Sequence, residues 1–309
     1  MKNMATKDFD QCAAAHIYSR TENGYLLFYS LADYLVFFSI ACVNARKRDI
    51  HLLGICPMKD HLHYLAAASH RSQIYSYIRD TESMYALAFN QELGTSGRIF
   101  HKSFGCSIKR GAKSVRNACS YLYNNPGEKG LCARAEQYRW TFLAYARCDN
   151  PFSERIKKET ASKKLRMSMR LIDSCSKLNN HLTYNMIRRL FKGLSEKESE
   201  QLTDYIIVSY NAIDYTALLS YYNNSYEQAC LAFASNQGSE YGLREDYVPG
   251  SHLPYLQIPP ALKKYHGIED VKEALRLPEV ERAQLLCDLM LETHANMVQL
   301  KKYLRLPRD

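Results

Sequence analysis

Hydrophobic positions in the first half of the chain change period several times. The run AAAHIYSR (13–20) reads as a strand, and TENG after it carries a turn signal. From Tyr25 to Ala45 almost every position is apolar, which raises the question of a membrane span. Ser30 with Asp33 three residues on has the form of a capping box and divides that stretch into a short strand and a helix from about Leu31 to Arg48. The uninterrupted apolar run is then shorter than the roughly 20 residues a span needs. Arg46, Lys47 and Arg48 close the helix with the charge that suits a helix C-terminus. IHLLGICPM and HLHYLAAA read as two strands separated by the turn-like Lys59-Asp60. In the next segment Ile74, Tyr77, Ile78, Met84, Tyr85, Leu87 and Ala88 recur at helical spacing. GTSGRIFHKSFG predicts a loop, CSIKR a short strand, and AKSVRNACSYLYNN a helix closed by Pro126 and Gly127. The order strand, helix, strand, strand, helix, strand, helix predicts an α+β domain with helices against an antiparallel sheet.

That domain is expected to span 1–150, ending at the aromatic cluster QYRWTFLAYA. A mostly helical accessory region is expected over 151–309. It opens with the basic stretch NPFSERIKKETASKKLRMSMR and is broken by a long Gly, Ser and Pro-rich loop, SNQGSEYGLREDYVPGSHLPYLQIPP. No internal repeat of fixed period is present.

Composition adds less than pattern. Apolar residues make up 46% of the 309, enough for a sizeable core. The net charge of +9 favours an acidic partner such as nucleic acid. The ten cysteines are scattered with no C-x-x-C pair, which suits free thiols in a reducing compartment better than a disulfide or zinc framework. MKNMATKDFDQC lacks the apolar core of a signal peptide. The expectation is a cytoplasmic, nucleoid-associated protein without a membrane span.

Candidate chemistry begins at His61 and His63. On a strand, residues i and i+2 share a face, so the two imidazoles project together while Leu62 and Tyr64 project to the other side. Paired imidazoles make poor core material but good metal ligands. The H-x-H pattern alone is short, and two partly exposed histidines on an open sheet face account for it equally well. A third element comes from the helix 112–125. There Tyr121 and Asn125 are four residues apart and share one face, whereas Tyr123 points elsewhere. Taken singly, Tyr121 as a core residue and Asn125 as a helix cap would be ordinary. Their surroundings are not: no acidic residue occurs between Glu92 and Glu128, while Arg98, Lys102, Lys109, Arg110, Lys113 and Arg116 do, with Phe100, His101 and Phe104 interleaved. Basic side chains contact phosphates, and aromatic ones stack on unpaired bases.

In this order the motifs resemble a family. H-hydrophobe-H is the signature of HUH nucleases, and the ordered set resembles the REP-associated and related insertion-sequence tyrosine transposases acting on single-stranded DNA. HIYSRTENGYLLF is similar to their first strand and turn, ICPMKDHLHYLA to the strand pair bearing the histidines, and GRIFHKSF to their short basic segment. YLYNNPGEKGL with QYRWTFLAY is similar to the tyrosine helix and the aromatic stretch after it. The resemblance covers roughly residues 12–146. Three positions depart from it: Lys59-Asp60 where Pro-Asn is usual, Tyr64 where a small apolar residue is common, and Tyr123-Asn124 where His-Leu or His-Asn often stands.

The resemblance implies a ferredoxin- or RRM-like fold with Mg2+ or Mn2+ held by His61, His63 and Asn125. It implies Tyr121 as the nucleophile that forms a 5′-phosphotyrosine, and single-stranded or hairpin DNA as substrate in DNA transposition. Two nitrogens and an amide suit manganese at least as well as magnesium. No nucleotide cofactor is expected, since the chain has no G-x-x-x-x-G-K-[ST] loop. Two alternatives stay open: a domesticated hairpin-binding protein that no longer cleaves, and a replication-initiation or relaxase nickase. The single tyrosine after the histidines speaks against the commonest relaxase order. A homodimer also stays open, because spacing does not say whether Tyr121 serves its own chain's histidines.

The second half offers weaker signals. Arg166, Arg170, Arg188 and Arg189 read as a solvated face or a DNA contact, and the tyrosines between 205 and 226 as packing residues. VERAQLLCDLMLETHANMVQLKKYLRLPRD predicts a partial helix-turn-helix over 280–309, without the helix that would enter the major groove.

Overall fold

A computed structural model describes residues 13–157, 159–235 and 250–307. Four strands, β1 (Ala13–Arg20), β2 (His51–Pro57), β3 (His61–Ala67) and β4 (Gly105–Arg110), form one antiparallel sheet in the order β2-β3-β1-β4. The helices of this half are α1 (Leu31–Lys47), α2 (Arg71–Leu93) and α3 (Ala112–Glu128). The α+β class with an antiparallel sheet is therefore the observed one. Short 3-10 turns cover much of 135–146, where the aromatic cluster lies.

Alternation along the strands separates two faces. Ile17, Leu62, Tyr64 and Ala66 point to the side covered by α1 and α2. Ala14, Leu65, Cys56 and Leu53 belong to a second cluster against α3. Tyr123 of α3 lies so close to β2 that a Cβ on Gly54 would come within 2.9 Å of its hydroxyl, which donates to Leu53 O at 2.9 Å. Gly111, at φ 76°, makes the turn from β4 into α3 in a conformation that favours glycine.

Helix α1 is buried at every position from Asp33 to Ala45, so the sheet and α2 cover only part of it. The rest is covered by the second half, whose elements among the described residues are helices: α4 (Lys163–Lys177), α5 (Tyr184–Phe191), α6 (Glu196–Tyr210), α7 (Tyr215–Ser220), α8 (Tyr226–Ser235), α9 (Ile258–His266), α10 (Val271–Arg276), α11 (Glu279–Glu292) and α12 (Met297–Tyr303). Helices α5 and α6 pack on α1, and Trp140 and Phe142 stack on its Tyr34 and Phe38 at 4.1 and 4.0 Å. One apolar cluster consequently runs from Ala15 to Leu306, across the boundary expected at residue 150.

Several local expectations are corrected. The stretch 25–30 is irregular rather than a strand; Leu26, Leu27 and Phe28 are buried by packing, and Leu27 N–H bonds to Lys59 O at 2.7 Å. Leu87 is 62% exposed, because it sits two residues from both Tyr85 and Phe89 and so faces away from the buried stripe. Helix α3 runs through Pro126 to Glu128: the proline removes one donor only, and Lys129 N–H and Leu131 N–H still bond to Asn125 O and Pro126 O. Most of the loop expected over 235–260 lies outside the described residues, and its last part forms a 3-10 turn, Leu253–Leu256, and the start of α9. The expected helix pair at the end is present as α11 and α12, but α12 is docked, with Leu300, Tyr303, Leu304 and Leu306 buried. The cysteines among the described residues are free thiols, and no described helix is long and apolar enough to cross a membrane.

The capping box of α1 has a further partner. Asp33 accepts from Tyr29 N–H and Ser30 N–H at 2.9 and 2.8 Å, from Tyr184 Oη at 2.7 Å, and pairs with Lys272 Nζ of α10 at 2.7 Å. Both charged side chains are almost wholly buried. Lys272→Met, which keeps the volume but leaves the carboxylate uncompensated, is expected to cost about 3–5 kcal/mol in urea denaturation. A cost below about 1 kcal/mol would show that Tyr184 and the amides suffice alone.

Candidate active site

Cross-strand register assembles the first part of the site. Tyr18 pairs with His63 and Arg20 with His61, and directly opposed residues share a face, so His16, Tyr18, His61 and His63 form one patch. The His61 and His63 rings are 5.0 Å apart and perpendicular. His16 stacks on His63 at 5.4 Å, and Tyr18 lies 5.0 Å from it.

Helix α3 crosses this face and supplies the second part. The Tyr121 ring meets His63 edge-on at 5.2 Å and His16 at 5.5 Å. Asn125, one turn further on, places Nδ2 3.1 Å from His63 Nε2. The site is thus assembled within one chain, with the tyrosine over its own histidines. Tyr123 is turned away into the β2–α3 contact, as the helical spacing predicts.

His63 is fully enclosed. Burial first, then the neighbouring His61, His16 and Lys129, push its pKa well below the usual imidazole value, so it stays neutral, the form that can ligate a cation. His61 is partly exposed, and its Nδ1 donates to Asp60 Oδ1 at 2.7 Å; in the neutral ring that bond leaves the lone pair on Nε2. Burial alone would raise the Asp60 carboxyl, but the hydrogen bond and charge of His61, with Lys302 the smallest contributor, outweigh it and hold the group well below the usual carboxylate range. His252 approaches the same carboxylate at 3.5 Å, yet burial pushes its pKa down to about 3. At neutral pH that contact is therefore not an ion pair.

Of the departures from the expected pattern, Asp60 bonds to His61, while Lys59 and Tyr64 have partners elsewhere. Lys59 turns inward, donating to Phe28 O at 3.2 Å, and burial pushes its pKa down to about 8. Tyr64 is buried on the helix-covered face against Tyr77 at 6.0 Å. Neither touches the histidine patch.

A cavity of about 490 Å3 opens over the site, lined by Tyr18, Arg20, Asp60, His61, Tyr121 and Asn125 and by groups from the second half. Those groups include His252, Tyr255, Asn296, Gln299 and Lys302. None was marked as a site residue by sequence pattern: each lies more than a hundred residues from Asn125, His252 and Tyr255 in the expected loop and Asn296, Gln299 and Lys302 in the expected partial helix-turn-helix. Arg20 carried no signal either; its Nε bonds to Tyr18 Oη and it faces the cavity.

The six basic residues expected to bind nucleic acid divide into three groups. Arg98 and Lys102 are exposed on a segment whose backbone bonds to residues 20–22, so they border the Arg20 rim of the cavity. Lys113 and Arg116 follow on the first turns of α3, Arg116 about 7.5 Å before Tyr121 along the helix, while Lys109 and Arg110 lie at the opposite end of β1, where Arg110 pairs with Ala13. That is about 20 Å from His61 at 3.3 Å per residue. None of the six lines the cavity.

The residues present suit a divalent cation. Asn125 Oδ1 and His63 Nδ1 are buried without a hydrogen-bond partner. Turning the Asn125 amide over would bring its oxygen beside His63 Nε2, where Nδ2 now lies at 3.1 Å. Two ligands at right angles on a cation about 2.1 Å away would be about 3.0 Å apart. Among the described residues no group of three or more His, Cys, Asp or Glu could hold a metal ion, so the candidate set is two imidazoles and an amide.

Comparison with known proteins gives a family match over the part of the chain that holds these residues. Residues 14–125 match the model of a family described as "Transposase IS200 like", a stretch that begins in β1 and ends on Asn125. A solved structure described as "Structure of the REP associates tyrosine transposase bound to a REP hairpin" is similar at 13% identity and a TM-score of 0.39, over 53% of this chain and 96% of that one. No curated protein matches the chain.

The enclosed histidine has a consequence for pH dependence. Because its folded pKa is depressed, the stability linked to His63 is present above the unfolded value near 6.5 and lost as pH falls below it, at up to about 1.4 kcal/mol per unit. Nitrogen-15 spectra of the metal-free protein are expected to show His63 neutral from pH 8 to 5.5. A midpoint near 6.5 would mean that water reaches the ring.

Proposed function

We propose that this chain, whose residues 14–125 match the IS200-like transposase family, is a DNA strand transferase in which Tyr121 is the nucleophile and single-stranded, hairpin-flanked DNA the substrate. The observation that carries this reading is the convergence of Tyr121 and Asn125 on His63, at 5.2 and 3.1 Å, beneath an open cavity. The family match supports transposase chemistry in general, and the choice of residues rests on the geometry.

The steps follow from what these groups can do. Arg20, Lys129 and Lys302 line the cavity beside the acids Asp60 and Glu128, and with Lys302 paired to Asp60 it is Arg20 and Lys129 that are placed to receive a phosphodiester. Tyr121 Oη then attacks the phosphorus in line; the Tyr–O–P bond forms, the P–O3′ bond breaks, and the phenolic proton is lost as the 3′ oxygen gains one. His61, His63 and Asn125 would hold Mg2+ or Mn2+, which supplies polarisation of the phosphate and stabilises charge on its oxygens. A 3′-hydroxyl attacking the phosphotyrosine reverses these bonds, so strand transfer needs no nucleotide cofactor. Arg98 and Lys102, at the Arg20 rim, suit the DNA leading into the cavity, and Lys109 and Arg110 suit a more distant duplex portion of a hairpin.

Incubation with labelled hairpin-flanked single strands and Mn2+, followed by a denaturing gel, tests this. Wild-type protein is expected to give a metal-dependent covalent band. Tyr121→Phe should reduce it by at least about a thousandfold while hairpin binding persists. Binding without any adduct in the wild type would favour a domesticated DNA-binding protein instead.

A further inference from the structure

The first histidine of the pair is held by a carboxylate that the second half of the chain holds in turn. Asp60 stands immediately before His61 and lies at the end of the β2–β3 turn. One oxygen, Oδ1, accepts from His61 Nδ1 at 2.7 Å. The other, Oδ2, accepts from Lys302 Nζ of α12 at 3.1 Å, a contact spanning 242 positions of sequence. The Asp60 and Lys302 side chains are only 12% and 14% exposed, so this is not a solvated surface pair of negligible strength. The partner elements are themselves fixed. Tyr303, next to Lys302, is buried, and its carbonyl accepts from Tyr29 Oη at 3.0 Å. His252 N–H bonds to Lys129 O at 2.9 Å, tying the segment beside Asp60 to the end of α3.

The chemistry of an imidazole makes this arrangement consequential. A neutral ring carries one proton, and the nitrogen without it is the one that can ligate. An acceptor fixed at Nδ1 puts the proton there and aims Nε2 into the cavity, the role that carboxylate partners play for ligating histidines generally. A carboxylate with only one anchor can rotate away; with its second oxygen on Lys302 it cannot turn without breaking a charged hydrogen bond.

We propose that Asp60 is a positioning residue that sets the tautomer and ring plane of His61, and that Lys302 holds Asp60 in that role, so that helix α12 is part of the active site. This rests on the transposase reading only for what the site is used for. The tautomer and the cation affinity are properties of the chain itself, and their test is separate.

Full-length metal-free protein labelled with nitrogen-15 at histidine reports the His61 tautomer, and calorimetry with Mn2+ alone reports affinity. Wild type is expected to show the proton on Nδ1. Asp60→Ala should mix the tautomers and weaken Mn2+ binding about 10- to 100-fold. Asp60→Asn keeps an acceptor but not the charge, so it should keep more of the tautomer and become insensitive to a second change at Lys302. Lys302→Met should weaken binding by up to about tenfold in the wild-type background, and Lys302→Arg should restore most of it. Thermal melts of Lys302→Met separate this from loss of fold. A folded Lys302→Met protein with wild-type tautomer and Mn2+ affinity would overturn the role of α12, and an unchanged Asp60→Ala protein would overturn the whole proposal. Absence of a tyrosine adduct in the wild type would fail the transposase reading and leave these two readouts to decide this one.

Discussion

Helix α1 imposes the constraint on which the rest of the molecule depends. It is buried around its whole circumference and mostly apolar, and a four-stranded sheet with one neighbouring helix can shield only part of such a cylinder. Leaving the remainder in water would forgo roughly 25 cal/mol for each Å2 of apolar surface. Helices α5 and α6, with the stacked Trp140 and Phe142, supply the missing cover. The buried charge at its N-terminus sets the attachment point: Asp33 is acceptable in the core because Lys272, Tyr184 and two amides surround it.

Covering α1 has a structural by-product at one end of the sheet's central strands. The chain that wraps the helix ends with α12 and the 250–256 segment lying over the β1–β3 end, where the histidines are. The cavity is consequently walled on one side by elements belonging to the family match and on the other by elements outside it. The same packing that stabilises the core therefore shapes the space into which a substrate phosphate would enter.

Inside that space the environment is divided. His63, enclosed among His16, Tyr18, Tyr121 and Asn125, is kept neutral by desolvation. Two residues away, His61 is in contact with both the cavity and a carboxylate. One imidazole is therefore held by burial and the other by a hydrogen bond, though both belong to the same H-x-H pattern.

Much of this was legible in the chain. The alternation of β1 to α3, the shared face of His61 and His63, and the four-residue spacing of Tyr121 and Asn125 follow from periods of 2 and 3.6, which are local properties of the backbone. Their convergence was supported by motif order, because short connections between neighbouring elements leave few ways to arrange them. What the tertiary structure alone decided depends on contacts far apart in sequence. Lys302 on Asp60, His252 against the end of α3, and the separation of Arg98 and Lys102 from Lys109 and Arg110 are set by packing. So is the fate of Leu87, Pro126 and the apolar run 25–30, where local preference met a particular neighbour. A period describes which way a residue points, and only the folded core determines what it meets there.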